Sequence, residues 1–241
     1  MVNVALIFAG GTGQRMNSGT TPKQFLELHG KPILIYTLEH FQDHEDIDGI
    51  VVVCLESWND RLRKLIKKFD ISKVKAIVPG GASGQESIFN GLEAIHELYP
   101  QEDTVVLVHD GVRPLIEAET ITDAIACVRK NGNAITVTPA IETITIDNQG
   151  DCVGTIVNRS RCKMARAPQC FLMKDLYAAH LKAREEGNTD FIDSASMMQH
   201  YGHVLYCVDG PAFNIKITTP TDFYIFRAIA DAKEDSQIFG L

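Results

Sequence analysis

The residues best suited to chemistry stand near the front of the chain. The apolar run Val4–Phe8 ends in Ala9-Gly10-Gly11-Thr12-Gly13-Gln14-Arg15-Met16, and Pro22-Lys23-Gln24 follows a few residues on. A Gly-rich turn straight after a strand lets backbone N–H groups approach an anion closely, because no Cβ intervenes. At the carboxyl end of a strand this is a phosphate cradle. The alternative, a plain tight turn, leaves unexplained why Arg15 and Lys23 both fall within reach of the loop in an acidic protein. Two named motifs fail on spacing. No Gly-Lys-Ser/Thr completes a P-loop, and Met16 stands where the dinucleotide fingerprint GxGxxG needs its third glycine.

Three further constellations follow. His109-Asp110-Gly111-Val112-Arg113-Pro114 comes directly after the run TVVLV. An Asp at the carboxyl end of a central strand sits in the crevice where α/β sheets bind ligands, and its carboxylate suits Mg²⁺ when phosphates supply the other oxygens. The alternative is an Asp that caps a helix or turn; His109 reads as structural and hydrogen-bonded. Next come Asn158-Arg159, with Arg161, Lys163 and Arg166 ahead of Ala167-Pro168-Gln169. Most of these cations read as a solvated basic face, with Arg159 the candidate ligand contact. Last is Lys216 in Asn214-Ile215-Lys216-Ile217-Thr218, on a segment that reads as an apolar strand. A Lys there is costly to bury unless an anion meets it, which favours a ligand contact over a snorkelling edge residue.

These motifs need elements to hold them together. β-Branched or apolar runs recur at Val4–Phe8, Ile50–Leu55, Ala76–Val78, Thr104–His109 and Ala134–Thr138, and unbroken ones such as IVVVCL read as strands buried on both faces. Between them Ile33–Phe41, Trp58–Phe69, Ser87–Leu98 and Glu119–Val128 keep the helical period. The alternation predicts an α/β fold with a doubly wound, mostly parallel sheet. After residue 139, Ile141–Ile146 and Val153–Val157 alternate apolar with polar residues around Asp147-Asn148-Gln149-Gly150-Asp151, a hairpin signal. A two-stranded ribbon is marginal alone, so it must lie on the domain or on another subunit. Helices over Lys174–Glu185, Ser194–Tyr201 and Pro220–Ala232 and strands at Val204–Val208 and Asn214–Ile217 complete the reading, with a loose tail expected from Lys233 to Leu241.

Composition bounds the function. The 241 residues carry a formal net charge of −8, which argues against nucleic acid and anionic membranes as partners. Nothing approaches the roughly 20 apolar residues of a membrane span, and the length suits a single domain. The six Cys (Cys54, Cys127, Cys152, Cys162, Cys170 and Cys207) form no CxxC pair and predict buried or idle thiols rather than zinc or disulfides. The N-terminal MVNVALIFAGG has no basic segment or cleavage-like site, so a cytoplasmic location is expected.

In this order, AGGTGQRM with PKQ, then Gly80-Gly81-Ala82-Ser83-Gly84-Gln85-Glu86-Ser87, HDGVRP, NR with PQ, and NIKIT resemble the family that includes the 2-C-methyl-D-erythritol 4-phosphate and ribitol-5-phosphate cytidylyltransferases. The resemblance runs from residue 2 to about 230. It implies a Rossmann-like nucleotidyltransferase fold, a single domain over 1–241 with a protruding β-arm at about 139–160, and a homodimer whose arms lend residues to the neighbouring site. It further implies that Ala9, Gly10, Gly11, Thr12 and Gly13 surround the triphosphate of CTP, with Arg15, Lys23 and Lys216 as catalytic cations on phosphate. Gly81 and Ser87 would face the cytosine and ribose, and Asp110, beside Gly111, would hold Mg²⁺. Arg159, with Thr143 and Arg113 from the partner's side of the dimer, would hold the acceptor's phosphate and hydroxyls.

Three positions depart from the family pattern. Gly84 stands where an Arg is usual, and Ala167 and Ile192 stand where two threonines meet the acceptor. The AGG opening, the seven-residue step from Met16 to Lys23 and the run PKQFLELHGKPILIYTLEHF resemble the ribitol-phosphate branch, which implies a polyol phosphate acceptor and a CDP-alcohol destined for a cell-wall or capsular polymer. Other readings stay open: the methylerythritol phosphate enzyme of isoprenoid synthesis, a sugar-1-phosphate nucleotidyltransferase using UTP or dTTP, and a catalytically silent nucleotide-binding regulator. Retention of Arg15, Lys23, Asp110 and Lys216 together argues against the last.

Overall fold

A computed structural model describes residues 1–11, 21–100, 103–147 and 150–239. Strand β1 (Val2–Ala9) is followed by the small hairpin β2 (Glu27–Leu28) and β3 (Lys31–Pro32), then α1 (Ile33–Asp43), β4 (Gly49–Cys54), α2 (Asn59–Lys68), β5 (Val74–Pro79), α3 (Gly84–Leu98), β6 (Thr104–Asp110), α4 (Ala118–Asn131) and β7 (Asn133–Pro139). The arm strands β8 (Ile144–Thr145) and β9 (Ile156–Val157) come next, followed by β10 (Lys163–Leu172), α5 (Met173–Glu185), α6 (Ser194–His200), β11 (Cys207–Asp209) and α7 (Pro220–Phe239). Seven strands make one sheet in the order β11-β7-β10-β6-β1-β4-β5. Within it β10 runs antiparallel to both neighbours, and the other pairings are parallel.

The continuous apolar runs are buried on both faces because successive side chains of a strand point to opposite sides. From β1, Ala5, Ile7 and Ala9 pack with Leu34, Leu38 and Phe41 of α1, Leu62 of α2 and Ile121, Ile125 and Val128 of α4. Val4 and Leu6 pack on the other side with Ile88, Leu92 and Ile95 of α3, Leu176 of α5 and Met197 and Met198 of α6. Burying each such side chain contributes about 1.5–3 kcal/mol, so the two layers hold the central strands rigidly. Gly91 sets how closely α3 approaches: a Cβ there would overlap Leu6 Cδ1 and lie 2.9 Å from Val53 Cγ2. A third cluster (Leu28, Ile33, Val112, Leu115, Ile217 and Phe226) seats α7 against the small hairpin.

Four sequence expectations change. The arm ribbon is shorter than its alternating pattern, with two paired residues on each strand, because no third strand covers it; Ile141, Ile146, Val153 and Ile156 are all exposed. The strand expected over Val204–Val208 begins only at Cys207. Asn214–Ile217 is not a strand of the sheet; it is an extended segment held by Ile217 N–H donating to Val112 O (2.9 Å) and Asn214 Nδ2 donating to Ala167 O (2.9 Å). The tail from Lys233 continues α7 to Phe239, in keeping with its helix-forming Lys233 and Glu234. Strand β10 was not anticipated, since its basic residues and Pro168 disguise it. All six cysteines are free. Among the described residues no helix is long and apolar enough to cross a membrane.

Candidate active site

Parallel pairing brings two of the motifs to one edge of the sheet. Phe8 of β1 is in register with Asp110 of β6, so the glycine loop and Asp110 emerge side by side at the carboxyl ends of adjacent strands. Gly111 N–H donates to Phe8 O (3.0 Å), locking the two strand ends together. Gln24, 1% exposed, donates from Nε2 to Ala9 O and to Gly11 O (3.1 Å), which fixes the start of the loop. Half-buried Lys23 precedes it in a short 3₁₀ turn; against the opposing effect of burial, hydrogen bonds from Thr219 and Thr218, and after them the charge of Lys23, hold the Asp222 carboxyl below the usual carboxylate range.

The second glycine segment closes on the first. A Cβ on Gly10 would sit 3.6 Å from Ser87 Oγ and 3.7 Å from the Cα of Gly80, so the backbones of the two loops face each other at contact distance. Gly81 N–H donates to Ser87 Oγ (3.0 Å), and Ser87 Oγ–H donates to Ser83 O (2.8 Å). Ser83 also caps α3 by accepting from Glu86 N (3.1 Å). Gly84 opens that helix in open space, so packing does not demand a glycine there.

Asp110 is the electrostatic centre. Its side chain is 8% exposed; Oδ2 accepts from Arg113 Nε at 2.7 Å and Oδ1 meets Lys216 Nζ at 2.5 Å. Burial alone pushes its pKa up, but the charges and hydrogen bonds of Lys216 and Arg113 outweigh this and hold it below the ordinary carboxylate value. Arg113 also donates from Nη1 to Asn214 O (2.8 Å), and Asn214 is in turn tied to Ala167 O. Lys216 Nζ stands 5.6 Å from the centre of the Phe8 ring. His109 is completely buried and faces Arg113 O at 3.2 Å; desolvation takes its pKa down to about 3, so it is a neutral structural residue, as its position suggested.

A cavity of about 340 Å³ opens beside this network. Asp110, Arg113, Lys216, Arg166, Gln169 and Asp193 line its polar side, with Phe8, Ile88, Val108, Ala167, Ile192 and Met197 as apolar walls. Glycine N–H groups, three cations and one firmly anionic carboxylate at strand ends can bind a polyphosphate and hold a second phosphate beside it.

Of the residues singled out in the sequence, Ala9, Gly10, Gly11, Gly81, Ser87, Asp110, Gly111, Ala167, Ile192 and Lys216 gather around this crevice, with Lys23 on the turn tied to it by Gln24. Thr12, Gly13 and Arg15 lie outside the described residues. Thr143 and Arg159 are exposed on the arm, where Arg159 Nη1 donates to Ile141 O (2.8 Å), away from the cavity of their own chain. One reading needs correction. Arg113, expected to reach across from a partner, is buried in its own chain's site, because the tight turn from Asp110 (Arg113 N–H to Asp110 O, 3.1 Å) folds its guanidinium back onto the carboxylate. Lys216, expected to meet an anion, is paired here with Asp110, and its side chain is 41% exposed. Sequence reasoning passed over Gln24 and Asn214, visible only as neighbours of Lys23 and Lys216, and read Arg166 as part of a solvated basic face, whereas it is half-buried on the cavity lining because the irregular register of β10 turns it inward.

A Rossmann-like sheet with a glycine-lined phosphate crevice and a carboxylate flanked by cations defines a nucleotidyltransferase. Residues 3–232 match the family model for 2-C-methyl-D-erythritol 4-phosphate cytidylyltransferase, and the chain belongs to this cytidylyltransferase family. It is 53% identical to a ribitol-5-phosphate cytidylyltransferase of Vibrio parahaemolyticus across 99% of this chain and 100% of that one. A 2-C-methyl-D-erythritol 4-phosphate cytidylyltransferase of Clostridium botulinum is 37% identical, with 95% and 97% covered. The crystal structure of 4-diphosphocytidyl-2C-methyl-D-erythritol synthase from Anaerococcus prevotii superposes with a TM-score of 0.82 at 29% identity, covering 95% of this chain and 96% of that one.

Proposed function

We propose that this protein transfers CMP from CTP to ribitol 5-phosphate, releasing pyrophosphate and forming a CDP-alcohol for a cell-wall or capsular polymer. The observation that carries the reading is the 53% identity, over both full lengths, with a relative bearing that name, against 37% for the methylerythritol phosphate enzyme.

The acceptor is a phosphate monoester whose second pKa of about 6 leaves it largely dianionic at neutral pH. One of its oxygens attacks the α-phosphorus of CTP, the α–β phosphoanhydride bond breaks, and pyrophosphate leaves with the bonding pair, so no general base is required. Catalysis reduces to alignment and charge neutralisation. In this reading the glycine loop, Arg15 and Lys23 hold the triphosphate, Gly81 and Ser87 the nucleoside, and Lys216 turns from Asp110 to phosphate. Asp110 fits a divalent cation: its Oδ1 is a hard donor whose partner is the 41% exposed Lys216, which can move away. Among the described residues no group of three acidic, His or Cys side chains could hold a metal, so the other ligands of Mg²⁺ would be phosphate oxygens and water. Bound there, Mg²⁺ supplies neutralisation of phosphate charge.

The working unit in this reading is a homodimer of single domains, each covering 1–241, with arms at about 139–160 carrying Arg159 and Thr143 to the neighbour's acceptor. Exposed Ile141, Ile146, Val153 and Ile156 are the apolar surface such an exchange covers. The test is pyrophosphate release from CTP and Mg²⁺ with a panel of ribitol 5-phosphate, other polyol phosphates, methylerythritol phosphate and sugar phosphates. Ribitol 5-phosphate is expected to give the highest kcat/KM. A higher value for methylerythritol phosphate, or no release with any acceptor, refutes the reading.

A further inference from the structure

Arg166 has no part in the mechanism above, yet it lines the acceptor cavity. The path of β10 explains how it gets there. Ala165 pairs with Val137 and Gln169 with Ile135, so four residue steps on β10 span two on β7. In a regular strand neighbouring side chains face opposite sides of the sheet. Here the irregularity turns Ala165, Arg166 and Ala167 all towards the same cavity.

Most other polar groups lining that cavity already have partners, the exceptions among the described residues being the neutral donors and acceptors of Ser194 Oγ and the His180 ring. Arg113 is held by Asp110 and Asn214 O, and Lys216 is paired with Asp110 and, in the mechanism above, turns to phosphate when substrate binds. Asp193 accepts from Ser196 N and Gln169 Nε2, both at 2.8 Å, while Gln169 Oε1 accepts from Ala195 N (2.9 Å). Gln85 is bonded through both ends to the 188–191 loop. Among the described residues Arg166 makes one weak hydrogen bond, Nε to Thr138 Oγ1 at 3.4 Å, and no carboxylate lies within ion-pair distance. It is half-buried, and burial, followed by the charge of Arg113, disfavours its protonated form. A guanidinium so placed gains most from an incoming anion, and its planar fork matches two oxygens of one phosphate.

We infer that Arg166 is a specificity-determining contact for the acceptor, its guanidinium binding the phosphate monoester beside Asp110 and Lys216. This rests on the cytidylyltransferase reading above. Arg166 supplies charge and paired donors on a wall where Ala167 and Ile192 supply neither.

The experiment compares wild type, Arg166→Gln and Arg166→Lys in steady-state pyrophosphate release with Mg²⁺, varying CTP and ribitol 5-phosphate separately. Losing a charge-assisted contact raises the acceptor KM about tenfold or more in Arg166→Gln, while the CTP KM stays within about twofold. Arg166→Lys, which keeps the charge without the fork, falls between the two. An unchanged acceptor KM, or a parallel rise in both KM values, overturns the inference. Should Arg166→Gln lose its circular dichroism signature of folding, Arg166→Lys decides alone, with an acceptor KM equal to wild type as the refuting result. If wild type releases no pyrophosphate with ribitol 5-phosphate, the functional reading fails separately. Calorimetric titration with the acceptor panel then decides Arg166: loss of phosphate-ester binding in Arg166→Gln supports its role, and unchanged binding, or none even to wild type, ends it.

Discussion

Replacing Asp110 with Asn keeps the side chain's shape and removes its charge, which makes it the sharpest probe of the site's electrostatics. In the native arrangement the carboxylate neutralises Arg113 at 2.7 Å, with the two side chains 8% and 10% exposed, and Lys216 at 2.5 Å. Asn presents either an amide donor towards two donor groups or a neutral oxygen to one of them. Lys216 is 41% exposed and can turn to water, so its loss contributes little. Arg113 is held by Asn214 O and cannot leave without breaking that bond. Stranding one member of a buried pair costs about 3 kcal/mol, which for a chain of this size lowers Tm by about 6–12 °C.

The assay is thermal unfolding followed by circular dichroism, at neutral pH and on an acid series. Asp110's pKa is depressed in the folded state, so its stabilisation is fully present above the unfolded value of 3.8 and is lost as pH falls through the lower folded value. The gap between wild type and Asp110→Asn therefore stays constant from neutral pH down to about pH 4 and narrows below it. An Asp110→Asn protein that melts within about 2 °C of wild type at neutral pH would show that Arg113 is satisfied by other means, and the proposed network would be wrong.

Lys216→Ala should separate catalysis from stability: turnover falls by about 10² to 10³ while Tm moves by no more than about 2 °C, and full activity in that variant removes Lys216 from the mechanism. Arg15→Ala is expected to lower turnover at least about tenfold with the fold intact, checked by the same pyrophosphate assay and melting curve. Sizing chromatography at micromolar concentration should give about twice the 26.6 kDa chain mass, and Val153→Asp with Ile156→Asp should shift it to one chain; a wild-type monomer rules out shared arms.

Much of this architecture was written locally. The runs at Val4–Phe8 and Thr104–His109 were legible because strands buried on both faces need unbroken apolar side chains, and those strands carry the glycine loop and Asp110 to one edge. The helix read over Ser87–Leu98 was legible from its period but begins three residues earlier, at Gly84, because Ser83 caps it by accepting from Glu86 N. Strand β10 was not, because Lys163, Arg166 and Pro168 and the irregular register interrupt any period of two. The site divided in the same way. Glycines and cations at strand ends announce an anion, but which cation meets which carboxylate depends on long-range packing, as with Lys216 and Asp110, or on a turn that could only be seen once folded, as with Arg113.

Strand β10 also sets where this chain tolerates changes in length. Between Thr145 of β8 and Ile156 of β9 the ribbon ends in a tip that lies outside the seven-stranded sheet, so insertions or deletions there leave the register of the core strands unchanged. From Lys163 onward the same polypeptide is threaded between β7 and β6, where a single added residue reverses which side chains face each layer of the core. Within about twenty residues, the chain passes from a segment open to length variation to one in which every register position is constrained from both sides.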